Sequence, residues 1–173
     1  MRVLFPYTAA GIEPGAMEAM EAFCPVPWEP WELHEPDDYF WLLDDAWRRG
    51  EEFAVVEHDI TIEASTLVSM QGCQGMWCGA YYPYLHGQYL GLGCCRFNPQ
   101  LIARFPQVFD IIGELEDVTH PKRFWCAIDA RLGQTLRDLG EYSRCTQHGT
   151  VGHLGIPWPS HGCGGEPPPE MLR

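Results

Sequence analysis

The stretch Phe53-Ala54-Val55-Val56-Glu57-His58-Asp59 is the one from which the fold is best predicted. Its first four residues are continuously apolar, which is typical of a strand buried on both faces of a parallel-type sheet. Three polar residues follow at once, and ligands of open α/β sheets bind at the carboxyl ends of strands. The stretch therefore predicts a sheet covered by helices, with the functional site at the end of this strand.

Strand and helix patterns precede this stretch in an order that fits an α/β fold. Residues 3–7 predict an opening strand, and Pro14 suits the first turn of a helix over residues 14–23. Residues 25–30 have the character of a proline-rich connector, followed by a short strand at residues 31–34. A helix is then expected from Asp37 or Asp38 to Gly50.

The patterns continue after the stretch. Residues 63–70 suit one or two helical turns, and residues 76–85 form an aromatic, strand-like segment. Asn98-Pro99 predicts the start of a helix that Pro106 closes, and apolar residues every four positions predict a helix over residues 124–136 that stops at Gly140. We therefore expect a single domain over residues 1–160 and a Gly/Pro-rich tail over residues 161–173.

Charge and hydropathy exclude several classes of partner. The 173 residues contain 11 Lys plus Arg against 24 Asp plus Glu, a formal net charge of −13, which disfavours non-specific binding to nucleic acid and to anionic membranes. No apolar run approaches the roughly 18 residues of a membrane span, and the first residues are too few for a signal-peptide core. We expect a cytoplasmic protein whose eight cysteines are mostly reduced and buried.

The triplet Glu57-His58-Asp59 predicts a divalent-metal site. Alternate residues of a strand end face the same way, so Glu57 and Asp59 could approach one cation while His58 points elsewhere. Carboxylate oxygens suit Mn²⁺ or Mg²⁺, which leave coordination positions open for substrate phosphates. The alternative is a solvated acidic turn after a strand.

Two later segments add candidate side chains. Asp129 shares a helix face with Trp125, and an indole beside a carboxylate can raise its proton affinity enough for a general base. The alternative is a surface aspartate paired with Lys122 or Arg131. His148 and His153 are possible metal ligands in a glycine-punctuated segment, with a structural loop histidine as the alternative for each.

Several cysteine and histidine pairs could in principle bind zinc. Cys73-x4-Cys78, Cys94-Cys95 and His161-x-Cys163 are the candidate pairs. None repeats the two-residue spacing that structural zinc sites usually show. This lack of the usual spacing makes zinc the weaker hypothesis, and a small zinc-binding structural protein remains an alternative function.

The order of these motifs resembles that of GT-A type glycosyltransferases of the family-2-like group. Phe5-Pro6-Tyr7-Thr8 is similar to their nucleotide loop, Glu57-His58-Asp59 to their Asp-x-Asp triplet, and Ile128-Asp129-Ala130-Arg131-Leu132 to their acidic helix, although Ile128 replaces its first acidic residue. The "VVEHD" strand end and the "GHL" near residue 153 are also similar to short glycosyltransferase-like proteins of bacteriophages and actinobacteria, which implies a host-cytoplasmic location if a phage encodes the chain.

The resemblance implies a Rossmann-like α/β fold, a compact mixed sheet flanked by helices. It implies transfer of a sugar from a nucleotide-sugar donor to an acceptor hydroxyl, with inversion, the acceptor being a protein, a glycan or a modified nucleobase. Expected roles are Asp129 as catalytic base, Asp59, His153 and Glu57 as ligands of Mn²⁺ or Mg²⁺, and Pro6, Tyr7, Thr8, Glu57 and Asp59 as donor-binding residues. A catalytically silent nucleotide- or sugar-binding module of the same fold is the other reading.

Overall fold

The computed structural model describes residues 1–8, 11–35, 37–84, 87–89, 91–114 and 125–153. The strands are β1 (Arg2–Thr8), β2 (Trp28–Leu33), β3 (Phe53–Val56), β4 (Ile60–Thr61), β5 (Trp77–Gly79), β6 (Tyr82–Tyr84), β7 (Gly87–Tyr89), β8 (Cys94–Phe97), β9 (Arg144–Cys145) and β10 (Gly152–His153). The helices are α1 (Pro14–Phe23), α2 (Asp38–Arg48), α3 (Thr66–Gln71), α4 (Pro99–Arg104), α5 (Val108–Glu114) and α6 (Trp125–Asp138).

One six-stranded sheet organises these elements, in the order β2-β1-β3-β8-β5-β9. Strand β1 runs parallel to β2 and β3, whereas β8 lies antiparallel between β3 and β5. Strand β9 adds a parallel edge beside β5, and two small pairs, β4 with β10 and β6 with β7, stand outside the sheet. The predicted mixed α/β sheet is confirmed.

The position of β3 in the sheet explains why its sequence is continuously apolar. Its alternate residues enter two separate cores: Phe53 and Val55 pack on the face that carries α2, α4, α5 and α6, while Ala54 and Val56 pack on the face with α1 and α3. All four side chains are buried, because helices cover both faces of the sheet. Strand β3 therefore runs through a dry interior along its whole length.

Trp47 of α2 is the centre of the larger core. Its ring makes edge-to-face contacts with Phe53, Phe97 and Phe109, at centroid distances of 5.6 to 6.4 Å. The indole N–H donates to the carbonyl oxygen of Phe105 at 3.0 Å, so this large side chain is buried with its polar atom satisfied. These contacts fix α2 against β3 and β8, and they therefore also fix Tyr39, which lies in the first turn of α2.

Several predicted elements are confirmed. Helix α1 covers residues 14–23 as expected, and α2 ends before Gly50, which has a φ of 71°. The Asn98 side chain accepts a hydrogen bond from the Leu101 N–H at 2.9 Å, so it caps α4 in the predicted way. Helix α6 ends before Gly140, at φ 88°.

Other expectations were wrong. Residues 28–30 belong to β2 rather than to a connector, and the segment at 76–85 contains two strands, β5 and β6, in different sheets. Helix α3 begins at Thr66 rather than at residue 63, and an unpredicted helix, α5, follows the predicted end of α4 before Pro106. Strand β8 was not predicted, because Cys94-Cys95-Arg96-Phe97 has neither alternation nor a strongly β-forming composition.

None of the helices in the described residues combines the length and the hydrophobicity that crossing a bilayer requires. The predicted tail at residues 161–173 lies outside the described residues.

Candidate active site

A tight turn follows β3 and carries the predicted acidic triplet. The N–H of Ile60 donates to the carbonyl oxygen of Glu57 at 3.0 Å, and the Glu57 N–H donates to the Gly93 carbonyl at 2.9 Å. His58 and Asp59 are fully buried, and Glu57 is 9% exposed. The triplet is therefore neither the extended strand end nor the solvated turn that the sequence suggested; it is a buried turn.

Glu57 occupies a dry, negatively charged position. Its Oε1 accepts a hydrogen bond from the Tyr39 hydroxyl at 2.9 Å. Burial raises the pKa of Glu57 well above its usual value, and the charges of Asp129 and Asp59 raise it further. The pKa of Tyr39 is also raised well above its usual value, first by burial and then by Glu57 and Asp129. These four side chains thus share one electrostatic environment.

Asp129 reaches this environment from α6. Burial raises its pKa to about 6, against the opposing effects of a hydrogen bond from the Leu92 backbone and of the Arg144 charge. Its Oδ1 is shielded from solvent and has no hydrogen-bond partner among the described residues. The expected cause, the Trp125 indole, lies outside the described side chains, as does Lys122. The raised proton affinity comes from burial.

Arg144 adds a positive charge to the site, and sequence reasoning missed it. Its Nη2 donates to the Gly91 carbonyl at 2.6 Å and to the Cys95 sulfur at 2.7 Å, and its guanidinium lies 4.5 Å from the centroid of the Trp77 ring. Gly79 of β5 leaves room for the Arg144 side chain, because a Cβ on this residue would lie 2.6 Å from Nη2.

Tyr39 was also missed as a site residue, since in the sequence it was one apolar position of an amphipathic helix. For Arg144 the only local signal was an arginine within a short polar segment between α6 and the histidines. No local sequence pattern links these residues to the site, because their contacts are distant in sequence. Tyr39 is 18 positions from Glu57, and Arg144 is 49 positions from Cys95.

The predicted donor residues Pro6, Tyr7 and Thr8 lie in a strand and not in a loop. They form the last part of β1, in register with β2 from Trp31 to Leu33. Strand β3 pairs with β1 only as far as Leu4, so among the described residues Pro6 lies where that side of β1 has no strand partner. The carboxyl ends of β1 and β3 point to the same sheet edge, which brings Thr8 and the triplet to one side of the molecule.

The two candidate histidines have different positions. The backbone of His153 in β10 pairs with Ile60, the residue after Asp59, so β10 runs beside the triplet; the His153 side chain lies outside the described part. His148 instead has its Nδ1 3.0 Å from the Ser69 hydroxyl and its Nε2 3.5 Å from the Cys145 sulfur.

The acidic turn and a cysteine-histidine cluster differ in how closely their possible metal ligands approach one another. Among the described residues, the one group of three or more Cys, His, Asp or Glu side chains with ligand atoms all within 4.8 Å of one another is Cys73, Cys145 and His148. The carboxylates of Glu57, Asp59 and Asp129 interact electrostatically without reaching that mutual distance in the described conformation.

Comparison with solved structures identifies the fold. The chain is similar to the crystal structure of a glycosyltransferase involved in the glycosylation of the major capsid of PBCV-1, with a TM-score of 0.53 and 13% identity over 88% of this chain and 94% of that one. It is also similar, less closely, to the glycosyltransferase GlyE of Streptococcus pneumoniae TIGR4, with a TM-score of 0.47 and 11% identity over 84% of this chain and 44% of that one.

No protein-family profile matches the sequence, and no characterised protein matches it significantly in sequence. The likeness is therefore one of structure. With its mixed six-stranded sheet between two helix layers and an alignment that spans most of the first of these structures, the chain has a GT-A-like fold.

Proposed function

We propose that this protein is a metal-dependent glycosyltransferase, which transfers a sugar from a nucleotide-sugar donor to an acceptor hydroxyl with inversion. The observation that supports this most strongly is the convergence of Glu57, Asp59 and Asp129 at the carboxyl edge of β1 and β3. In α/β sheets that edge is where ligands bind. The fold, shared with a glycosyltransferase, makes sugar transfer the reaction class to test first.

The donor set fits a hard divalent cation. Burying several carboxylates together is costly, as the raised pKa of Glu57 indicates, and a bound cation reverses that cost. Oxygen ligands favour Mn²⁺ or Mg²⁺. In the proposal Asp59 and Glu57 hold the ion together with His153, whose strand lies beside the triplet. When bound, such an ion supplies Lewis-acid stabilisation of the negative charge on the departing diphosphate.

Asp129 is the proposed general base. A base works best when its pKa lies near the operating pH, and a value of about 6 is closer to neutrality than that of an exposed aspartate. Oδ1 accepts the proton of the acceptor hydroxyl while the acceptor oxygen bonds to the anomeric carbon and the bond from that carbon to the diphosphate breaks. Such a positioned base contributes about 10²- to 10⁴-fold in rate.

Arg144 and Tyr39 would position the acids. The Arg144 charge limits the rise of the Asp129 pKa, so most of the carboxylate is ionised at neutral pH. The Tyr39 hydroxyl holds Glu57 in one orientation through its hydrogen bond. Pro6, Tyr7 and Thr8 at the end of β1 remain the proposed contacts for the base and ribose of the donor.

The test is turnover with a panel of UDP-, GDP-, TDP- and CMP-linked sugars, with and without Mn²⁺. Release of the nucleotide is measured for the wild type, for Asp129→Asn and for the control Asp138→Asn, which removes the same charge from the exposed end of α6. We expect metal-dependent release that falls at least about 10²-fold in Asp129→Asn and is unchanged in the control.

A thermal-shift screen with the same panel identifies the donor, because specific binding raises apparent stability. Binding without release of nucleotide from any donor would contradict the enzyme and leave a silent binding module. Equal activity of Asp129→Asn and wild type would contradict the assignment of the base.

A further inference from the structure

A second cluster of metal-binding side chains lies away from the acidic turn. It contains Cys73, which follows α3, Cys145 of β9, and His148 in the segment after β9, with all three ligand atoms within 4.8 Å of one another. Each side chain is partly exposed, so solvent and ions have access. Two thiols and an imidazole are the ligands that select zinc over magnesium or calcium.

The hydrogen bonds of Ser69 favour one tautomer of His148. The Ser69 hydroxyl donates its only proton to the Thr66 carbonyl at 2.8 Å, so toward Nδ1, 3.0 Å away, it can act only as an acceptor. Nδ1 therefore carries the ring proton, and the lone pair is on Nε2, 3.5 Å from the Cys145 sulfur. A hydrogen bond from the other ring nitrogen is the usual support of a metal-bound histidine.

The backbone around the thiols is shaped for their close approach. The Gly75 N–H donates to the Cys73 sulfur at 3.3 Å, an arrangement that stabilises a thiolate. A Cβ on Gly75 would lie 2.9 Å from the Cβ of Cys145, so only glycine lets the two cysteine segments meet. A third thiol, that of Cys78, is opposite Cys145 in the strand register and within hydrogen-bonding reach of Cys73.

We propose that Cys73, Cys145 and His148 form a structural zinc site. Binding releases the two thiol protons to solvent and none from His148, whose Nε2 already presents a lone pair. The ion would fasten the two-residue edge strand β9 to the segment after α3. Strand β9 also carries Arg144, so the zinc site would hold in place the arginine whose charge lowers the pKa of Asp129.

The first experiment measures metal content in protein purified under reducing conditions after reconstitution with Zn²⁺. We expect about one zinc per chain, lost in Cys73→Ser, Cys145→Ser and His148→Gln. The matched control is Cys24→Ser, a partly exposed cysteine whose thiol donates to the Val26 carbonyl. Full zinc stoichiometry in all three ligand variants would overturn the proposal.

A second measurement uses the wild type alone, in case a ligand variant does not fold. Co²⁺ replaces Zn²⁺ in such sites, and we expect thiolate-to-cobalt charge-transfer absorption together with the visible bands of tetrahedral cobalt, both abolished by added Zn²⁺. A chelator is expected to lower the melting temperature of wild type and of Cys24→Ser. Absence of both Zn²⁺ and Co²⁺ binding in folded wild type would overturn the site. No sugar donor is present, so the outcome is independent of the proposed transferase activity.

Discussion

Replacing Asp129 with asparagine tests whether the site stores unfavourable electrostatic energy. In the folded protein the pKa of Asp129 is raised by burial from 3.8 to about 6. The folded state therefore binds this proton more tightly than the unfolded chain does, and the stability that the group contributes falls as the pH rises through this interval. Asparagine cannot ionise, so the variant escapes that loss.

The expected size follows from the shift. A difference of about two pKa units corresponds to about 3 kcal/mol at a pH well above 6, since one unit equals about 1.4 kcal/mol. Between about pH 4.5 and about pH 8, the free energy of unfolding of wild type should fall by about 2 kcal/mol relative to the variant. Because the comparison is between two pH values, any pH-independent cost of burying the asparagine amide drops out of it.

The assay is urea unfolding of both proteins at several pH values, in the presence of a chelator so that no cation compensates the carboxylates. Asp138→Asn, at an exposed position of the same helix, is the control and should show no such divergence from wild type. A difference between wild type and Asp129→Asn that stays constant with pH would refute the buried-carboxylate interpretation.

Three further changes probe the same region. Tyr39→Phe removes the hydrogen bond to Glu57 and should cost about 1 to 3 kcal/mol in urea unfolding, because a buried acceptor loses its donor. Glu57→Gln, by contrast, should raise the melting temperature at neutral pH without metal and reduce the further rise on adding Mn²⁺, since its raised pKa makes ionisation unfavourable in the folded state. Gly79→Ala should displace the Arg144 guanidinium and lower turnover. Gly133→Ala, whose Cβ would lie 3.5 Å from the Arg137 guanidinium, should leave turnover unchanged.

The fold was largely predictable because its signals are local. Four consecutive apolar residues in β3 indicate burial on both faces, and Gly50 and Gly140 mark helix ends at which φ is positive. The antiparallel strand β8 could not be predicted in this way. Strand β8 is buried because β3 and β5 lie on either side of it. The sequence of its own four residues does not indicate these neighbours.

The sequence singled out the acidic residues of the candidate site, but their environment could not be predicted from it. Glu57 and Asp59 were expected to converge by strand alternation, whereas a turn closed by Ile60 brings them inward. The roles assigned to them, to Asp129 and to His153 stay predictions. The raised pKa of Asp129 arises from burial in the folded chain, which no local pattern contains.

The sequence by itself determined the alternation of strands and helices, the apolar strand β3 and the acidic triplet after it, because hydrophobic periodicity and turn residues act over a few positions. Only the tertiary structure decided which distant groups meet: Tyr39 with Glu57, Arg144 with Cys95, and Cys73 with Cys145 and His148. Strand order and helix packing set those distances, and they depend on how the whole chain buries its apolar surface.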